Sequence, residues 1–193
     1  MHRAVHAKTI EIEYRAMFSK QKYGELARFL RAHAKDLGRN DQRIWFFITP
    51  KKLVKVTHNI TQRTAKVTLK LTRIGRGSHF EEIEFPIAEK VVGSAVKFFD
   101  ALGLACYHEP KILRHNYLYK DVEVALKYSK TWGYHLELEV VVGSLKDKVR
   151  AEKKIRSVAD ELGVKLMTDK ELRDFTGHIE RTYMNPKHGS FIY

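Results

Sequence analysis

Three short runs of this chain alternate glutamate with apolar residues, and they restrict its fold more than any other feature. They are Ile10-Glu11-Ile12-Glu13-Tyr14-Arg15, Glu82-Ile83-Glu84-Phe85 and Leu136-Glu137-Leu138-Glu139-Val140. Side chains alternate across a strand, so Glu11, Glu13 and Arg15 share one face while Ile10, Ile12 and Tyr14 share the other. Carboxylates two residues apart on one face are separated by about 7 Å, and at an effective dielectric near ~20 each such pair repels by about 2 kcal/mol. On an open surface, water and salt screen most of that repulsion. Gathered inside one barrel, the pairs need cations: a metal, or Lys and Arg from neighbouring strands. A single Glu-x-Glu reads equally well as the wet face of an antiparallel sheet. Three copies favour a charged interior, because the first continues into Arg15 and Lys-rich strands lie between the others.

The length of 193 residues suits one large domain, and no Pro/Ser-rich linker divides it. A net charge of +13 calls for an anionic partner: nucleic acid, an acidic membrane surface or a phosphorylated small molecule. Cys106 is the only cysteine, which excludes a disulfide framework and a cysteine-rich zinc site and points to a reducing compartment. Met1-His2-Arg3-Ala4-Val5 lacks the apolar core of a signal peptide, and nothing approaches the apolar length of a membrane span. The expectation is a soluble, cytoplasmic protein with no membrane partner. The ten histidines follow no metal-binding spacing and read as surface or packing residues.

Taken in order, the first strand is followed by a helix capped by Ser19 and closed by Gly38, then a turn at Arg39-Asn40-Asp41. Residues 42–49 read as a strand ended by Pro50, with both faces largely buried. Residues 53–60 and 65–74 form a hairpin in which Lys66, Thr68, Lys70 and Thr72 share a face. A turn at Gly75-Arg76-Gly77-Ser78 leads into the strand carrying Glu82 and Glu84. A helix over 88–102 is expected to turn Val91, Val92, Ala95, Phe98, Phe99 and Leu102 inward. Strands follow at 104–107, 111–119, 122–127 and 133–142. A third helix spans 144–162, ended by Gly163, and a short fourth begins at the capping box Thr168-Asp169-Lys170-Glu171. The last dozen residues read as a tail, from about 180. The fold class is therefore α+β: a closed antiparallel barrel of eight strands with helices packed outside. Closure removes sheet edges. A charged interior is stable only if acids and bases satisfy one another or a ligand completes the set.

These residues resemble the CYTH, or triphosphate tunnel metalloenzyme, superfamily. The N-terminal Glu-x-Glu-x-Lys strand of that family is matched by Glu11-x-Glu13-x-Arg15, and its Thr-Leu-Lys strand by the segment ending in Lys70. Its later acidic strand looks like Glu82-x-Glu84, its Arg-x-x-Tyr strand like Arg114-His115-Asn116-Tyr117, and its late Gly with glutamates like Gly133 through Glu139. The ordered set covers residues 8–165. The resemblance implies a tunnel that binds a triphosphate, with Mg²⁺ or Mn²⁺ held by Glu11, Glu13, Glu137 and Glu139. It implies catalytic roles for Arg15, Lys70 and Arg114, and substrate binding by Lys55, Lys66, Glu84 and Lys127. The residue types suit that chemistry: Lys and Arg grip phosphate oxygens, and hard divalent cations prefer carboxylates.

Three positions depart from the family pattern. Arg15 stands where a Lys is usual, Lys127 falls where an Asp is frequent, and the expected Arg-x-Arg is replaced by Lys55 and Thr57. Class IV adenylyl cyclases of the superfamily carry His-Phe upstream of the first motif; His6-Ala7 matches poorly, which favours hydrolysis. The expected function is metal-dependent hydrolysis of inorganic triphosphate, a nucleoside triphosphate or a related compound. The alternatives are cyclisation of ATP, action on an RNA 5′ end, and non-catalytic binding of polyphosphate, nucleotide or RNA. Trp45 and Trp132 are the candidates for base stacking. Monomer and homodimer are left open.

Overall fold

The computed structural model describes residues 9–104 and 106–183. Among the described residues, nine strands and four α-helices follow one another as β1 (Thr9–Met17), α1 (Lys20–His33), β2 (Lys35–Arg39), β3 (Gln42–Ile48), β4 (Leu53–Asn59), β5 (Thr64–Lys70), β6 (His79–Ile87), α2 (Val92–Ala101), β7 (Cys106–Tyr119), β8 (Val122–Ser129), β9 (Gly133–Val142), α3 (Lys148–Glu161) and α4 (Asp169–Tyr183). Every pairing is antiparallel. The order β7-β3-β4-β5-β6-β1-β9-β8 returns to β7 through a β7–β8 pairing, so eight strands close into a ring, not evenly spaced about an axis. β2 is a spur on β7.

On β1, β8 and β9 the apolar half of the alternation faces outward under helices and the polar half faces the bore, whereas β3 turns Ile44, Phe46 and Ile48 inward and β6 leaves Ile83 and Phe85 exposed. Ile12, Leu136, Leu138, Val124 and Leu126 pack with Leu26 and Leu30 of α1 and Ile155 and Val158 of α3. Phe47, Val54, Val56 and Val67 form a second cluster around Val92 of α2. Each fully buried Leu, Ile or Phe there contributes about 1.5–3 kcal/mol. These two outer cores hold the ring closed and leave its bore free for charge.

Four readings of the sequence change. α1 stops at His33 rather than running on to Gly38, and Lys35–Arg39 pair with the far half of β7, beyond the reach of β3. Gly38, at φ +93°, sits at the register shift of that pairing and does not end a helix. The strands expected at 104–107 and 111–119 are one strand, Cys106–Tyr119; Pro110, which lacks an amide donor, falls in its register shift against β3. β3 is largely buried on both faces, as expected, with Phe47 on one and Ile44 and Ile48 on the other; only Arg43 of this strand is exposed. On α2, preceded by one 3₁₀ turn, only the stripe of Val92, Ala95, Val96 and Phe99 meets the sheet. Phe98 and Leu102 are about 60% exposed and Val91 is exposed, one helical step round from that contact. α4 is a full helix of 15 residues, not a short one, and continues to Tyr183, past the expected start of the tail. The upstream His6-Ala7 pair and the last ten residues of the expected tail lie outside the described residues.

Candidate functional site

Because the strands alternate, the inward positions of all eight line one cavity of about 570 Å³. All eleven residues singled out above reach it: Glu11, Glu13, Arg15, Lys55, Lys66, Lys70, Glu84, Arg114, Lys127, Glu137 and Glu139. Among the described residues, seven Lys or Arg and eight Glu line it. The cavity is therefore not cationic by itself.

The ends differ. At one end the 60–63, 120–121 and 143–147 connections gather beside the start of β1, by the strand registers. At the other, α4 covers the opening. Phe175 packs edge-on against Trp132 at 4.9 Å, Arg173 donates to the Gly75 carbonyl at 2.6 Å, and Glu180 pairs with Arg73. Gly75 has φ +83°, and a Cβ there would lie 2.6 Å from Arg173 Cγ, so this close approach requires glycine. Thr176, Ile179 and Glu180 project into the cavity.

The charges fall into three groups. The first is acidic: one carboxylate oxygen from each of Glu11, Glu13 and Glu139 lies within 4.8 Å of the others. Register explains it, because Glu13 sits opposite Glu139, whose other neighbour is Glu123. Burial above all, joined by Glu11, Glu13 and Glu123, pushes Glu139 up to about 8. Burial likewise pushes Glu11 up to about 7, against the pull of Lys70. Such crowding is what a hard divalent cation relieves, and three carboxylates are a suitable donor set for Mg²⁺ or Mn²⁺.

The second group centres on Lys70, which is 2% exposed. Its Nζ lies 2.5 Å from Glu82, 3.4 Å from Glu13 and 3.6 Å from Glu11, and 4.2 Å above the Phe80 ring. Burial opposes its charge, yet Glu13, Glu82 and Glu11 together hold the ammonium above the ordinary lysine range. Glu82 in turn is held down at about 2, Lys55 and Lys70 outweighing its burial. Burial lowers Lys55.

The third group surrounds Glu137. Its Oε1 accepts from Arg15 Nε at 3.1 Å and lies 3.0 Å from Lys127 Nζ; its Oε2 is 3.9 Å from Arg114. Burial alone would raise this carboxyl, but Lys127, Arg15 and Arg114 hold it well below the usual range. Lys127 is pushed down to about 8 by burial, with Arg114 and Arg15 adding to the effect against Glu137. Arg15 also pairs with Glu13 and lies 5.6 Å from the Trp132 ring, so it bridges this group and the acidic one. Nearer the solvent, Lys66 pairs with Glu84 at 2.6 Å.

The sequence reading missed several members. Glu82, quoted there as half of a motif, is Lys70's nearest partner. Glu123 and Asn116, both bonded to Arg114, were legible from parity with Lys127 and Arg114. His135 is buried in the cavity and pushed down to about 3 by burial and Lys127, unlike a surface histidine. Nothing in the sequence pointed to the α4 residues. Trp132 lines the cavity, whereas Trp45 packs against the outer cluster around Phe47.

Comparisons with known proteins agree with this architecture. The profile of the CYTH domain family matches residues 9–173. The structure of the PH1012 protein from Pyrococcus horikoshii OT3 is 23% identical with a TM-score of 0.65, covering 84% of this chain and 99% of that one. The Hippeastrum protein HpAC1, reported to show a dominant triphosphatase activity, is 17% identical with a TM-score of 0.63, covering 92% and 98%. A chain of the Schizosaccharomyces pombe Mediator head module is 12% identical with a TM-score of 0.59, covering 81% and 97%. At these identities the likeness concerns the fold alone. A comparison with curated proteins gives no match. Among the described residues no helix is long and apolar enough to cross a membrane.

Proposed function

This chain belongs to the CYTH domain family, and from that premise we propose that it hydrolyses a triphosphate-containing substrate in its bore with the help of a divalent cation. The observation that carries the reading is the acidic trio Glu11, Glu13 and Glu139 beside Lys70 and Arg15 in one enclosed cavity. With eight glutamates against seven cations, the bore alone would not attract a polyanion. A cation on the trio reverses that balance, which makes the carboxylates intelligible as part of a phosphate site. Glu11, Glu13 and Glu139 would hold Mg²⁺ or Mn²⁺, which would supply charge neutralisation and polarisation of the phosphoryl group.

The chain's own residues do the positioning. Lys70 and Arg15, both held by Glu13, set their positive charge beside the acidic trio where phosphate oxygens would sit. Arg114 and Lys127 extend the cationic wall along β7 and β8, and Lys55 adds a further buried cation on β4. Lys66 and Glu84 lie further out and select for the remainder of the substrate. α4 closes one end and excludes water from the reacting group. Water adds at the terminal phosphorus while the bridging P–O bond breaks. A preorganised set of this kind acts by holding the chain of phosphates in line and stabilising the developing charge.

The test is product analysis on inorganic triphosphate, ATP and a short RNA bearing a 5′-triphosphate, each with Mg²⁺, Mn²⁺ or chelator. Phosphate together with a diphosphate product is expected. Cyclic AMP with pyrophosphate would identify the cyclase reaction instead.

A further inference from the structure

Glu137 and Glu139 are two residues apart on one strand and face the same bore, yet their surroundings are opposite in sign. Glu139 lies between Glu13 and Glu123 on the flanking strands. Glu137 lies between Arg15 and Ala125. The small Ala125 side chain is buried beside it, and Lys127 and Arg114 reach Glu137 from the next positions. Both carboxylate oxygens are engaged: Oε1 with Arg15 at 3.1 Å and Lys127 at 3.0 Å, Oε2 toward Arg114 at 3.9 Å. A divalent cation brought to Glu137 would first meet Arg15, Arg114 and Lys127, the first two shared with Glu13 and Glu123 and the third held by Glu137 itself. Within the same bore, the acidic trio offers the reverse.

We infer that Glu137 is a positioning residue for Arg15, Arg114 and Lys127 and not a metal ligand, so that the bore holds one divalent cation, on Glu11, Glu13 and Glu139. The inference rests on the metal-dependent reading proposed above and deepens it. One carboxylate sets the spacing of three cationic heads that would otherwise repel one another, while Glu13 and Glu123 hold Arg15 and Arg114 from their other sides. Lys127 is the residue that makes this division possible. An acid at that position would face Glu137 as a second ligand; a lysine turns Glu137 into an anionic hub.

Counting bound Mn²⁺ tests this without reference to turnover. Free Mn²⁺, followed by its electron spin resonance during titration of the whole protein, should show one site per chain. Glu139→Gln should weaken that site by at least the ~10–100-fold that even an outer partner of a metal ligand is worth. Glu137→Gln should leave Mn²⁺ affinity close to that of the unchanged protein while raising KM for inorganic triphosphate. Two Mn²⁺ per unchanged chain, or equal loss of Mn²⁺ in both variants, overturns the inference. The stoichiometry needs no variant, so a misfolded Glu137→Gln protein would not shelter it. No Mn²⁺ binding at all overturns this inference and the metal-dependent reading together. One Mn²⁺ with no phosphate release from any triphosphate refutes hydrolysis alone and leaves the single site standing.

Discussion

Removing the Glu139 carboxylate should stabilise the metal-free protein, and only at neutral to alkaline pH. Glu139 is crowded by Glu11, Glu13 and Glu123 in a buried bore, and its carboxyl titrates near 8 instead of 4.5. A carboxyl whose folded pKa is raised favours the folded state below the unfolded value, and that advantage drains away as pH rises toward the folded value. The window here is therefore pH 4.5 to about 8. At roughly 1.4 kcal/mol per pH unit the whole span would cap the penalty near ~5 kcal/mol. Glu11 and Glu13 share the crowding, so about 2 kcal/mol is the expected gain for Glu139→Gln at pH 8, falling to about zero at pH 5. Urea unfolding in chelator, at intervals from pH 5 to 9, reads this as a difference between the two proteins. The difference matters because His135 acts oppositely: held neutral, with a pKa near 3, it loses stability for the fold as pH falls below 6.5. His135 is present in both proteins and cancels. A fixed Mn²⁺ concentration should then stabilise the unchanged protein at pH 8 by more than it stabilises the variant. A variant less stable than the unchanged protein at pH 8 in chelator would refute the reasoning.

Other perturbations have equally definite outcomes. Arg15→Ala should lower turnover of inorganic triphosphate by roughly a hundredfold to a thousandfold, the usual worth of a donor aimed at developing charge, and spare a phosphate monoester that does not reach the whole cationic set. Steady-state kinetics on both substrates checks it, and equal losses would count against phosphate-chain recognition. Gly75→Ala should cost about 1–3 kcal/mol in thermal unfolding, because alanine at φ +83° is strained and its Cβ meets the Arg173 backbone nitrogen at 2.9 Å. The same change should speed proteolysis of α4; unchanged protection would show that the helix is held elsewhere. Thr168→Ala should cost about 1 kcal/mol, since Thr168 and Glu171 cap the start of α4 reciprocally at 3.2 and 2.7 Å.

The barrel was legible because its signal has period two and repeats. In Ile10 to Arg15 and in Leu136 to Val140, every second residue goes to the same face, so parity alone predicts which side chains share the bore. Parity does not say how a ring closes. That depends on register, and register decides that Glu139 lies beside Glu13 while Glu137 lies beside Arg15. The four glutamates could therefore be grouped from sequence but not divided. The second acidic strand shows the same limit: Glu82 and Glu84 share a face, yet only Glu82 sits at the depth of Lys70. β2 was misread because Lys35 and Leu37 extend the helical pattern of α1, and nothing local reveals the vacant edge of β7 that Lys35–Arg39 occupy. Net charge was the least informative guide. With seven cations and eight acids in the bore, the +13 excess lies outside it.

Phosphorus NMR of inorganic triphosphate incubated with the protein and Mn²⁺, quenched with chelator before reading, tests the central claim most directly. The expected spectrum gains orthophosphate and pyrophosphate in equal amounts, and a parallel sample given chelator at the outset shows neither. Orthophosphate forming at the same rate in chelator, or a tightly bound triphosphate left intact with every divalent metal, would contradict the account.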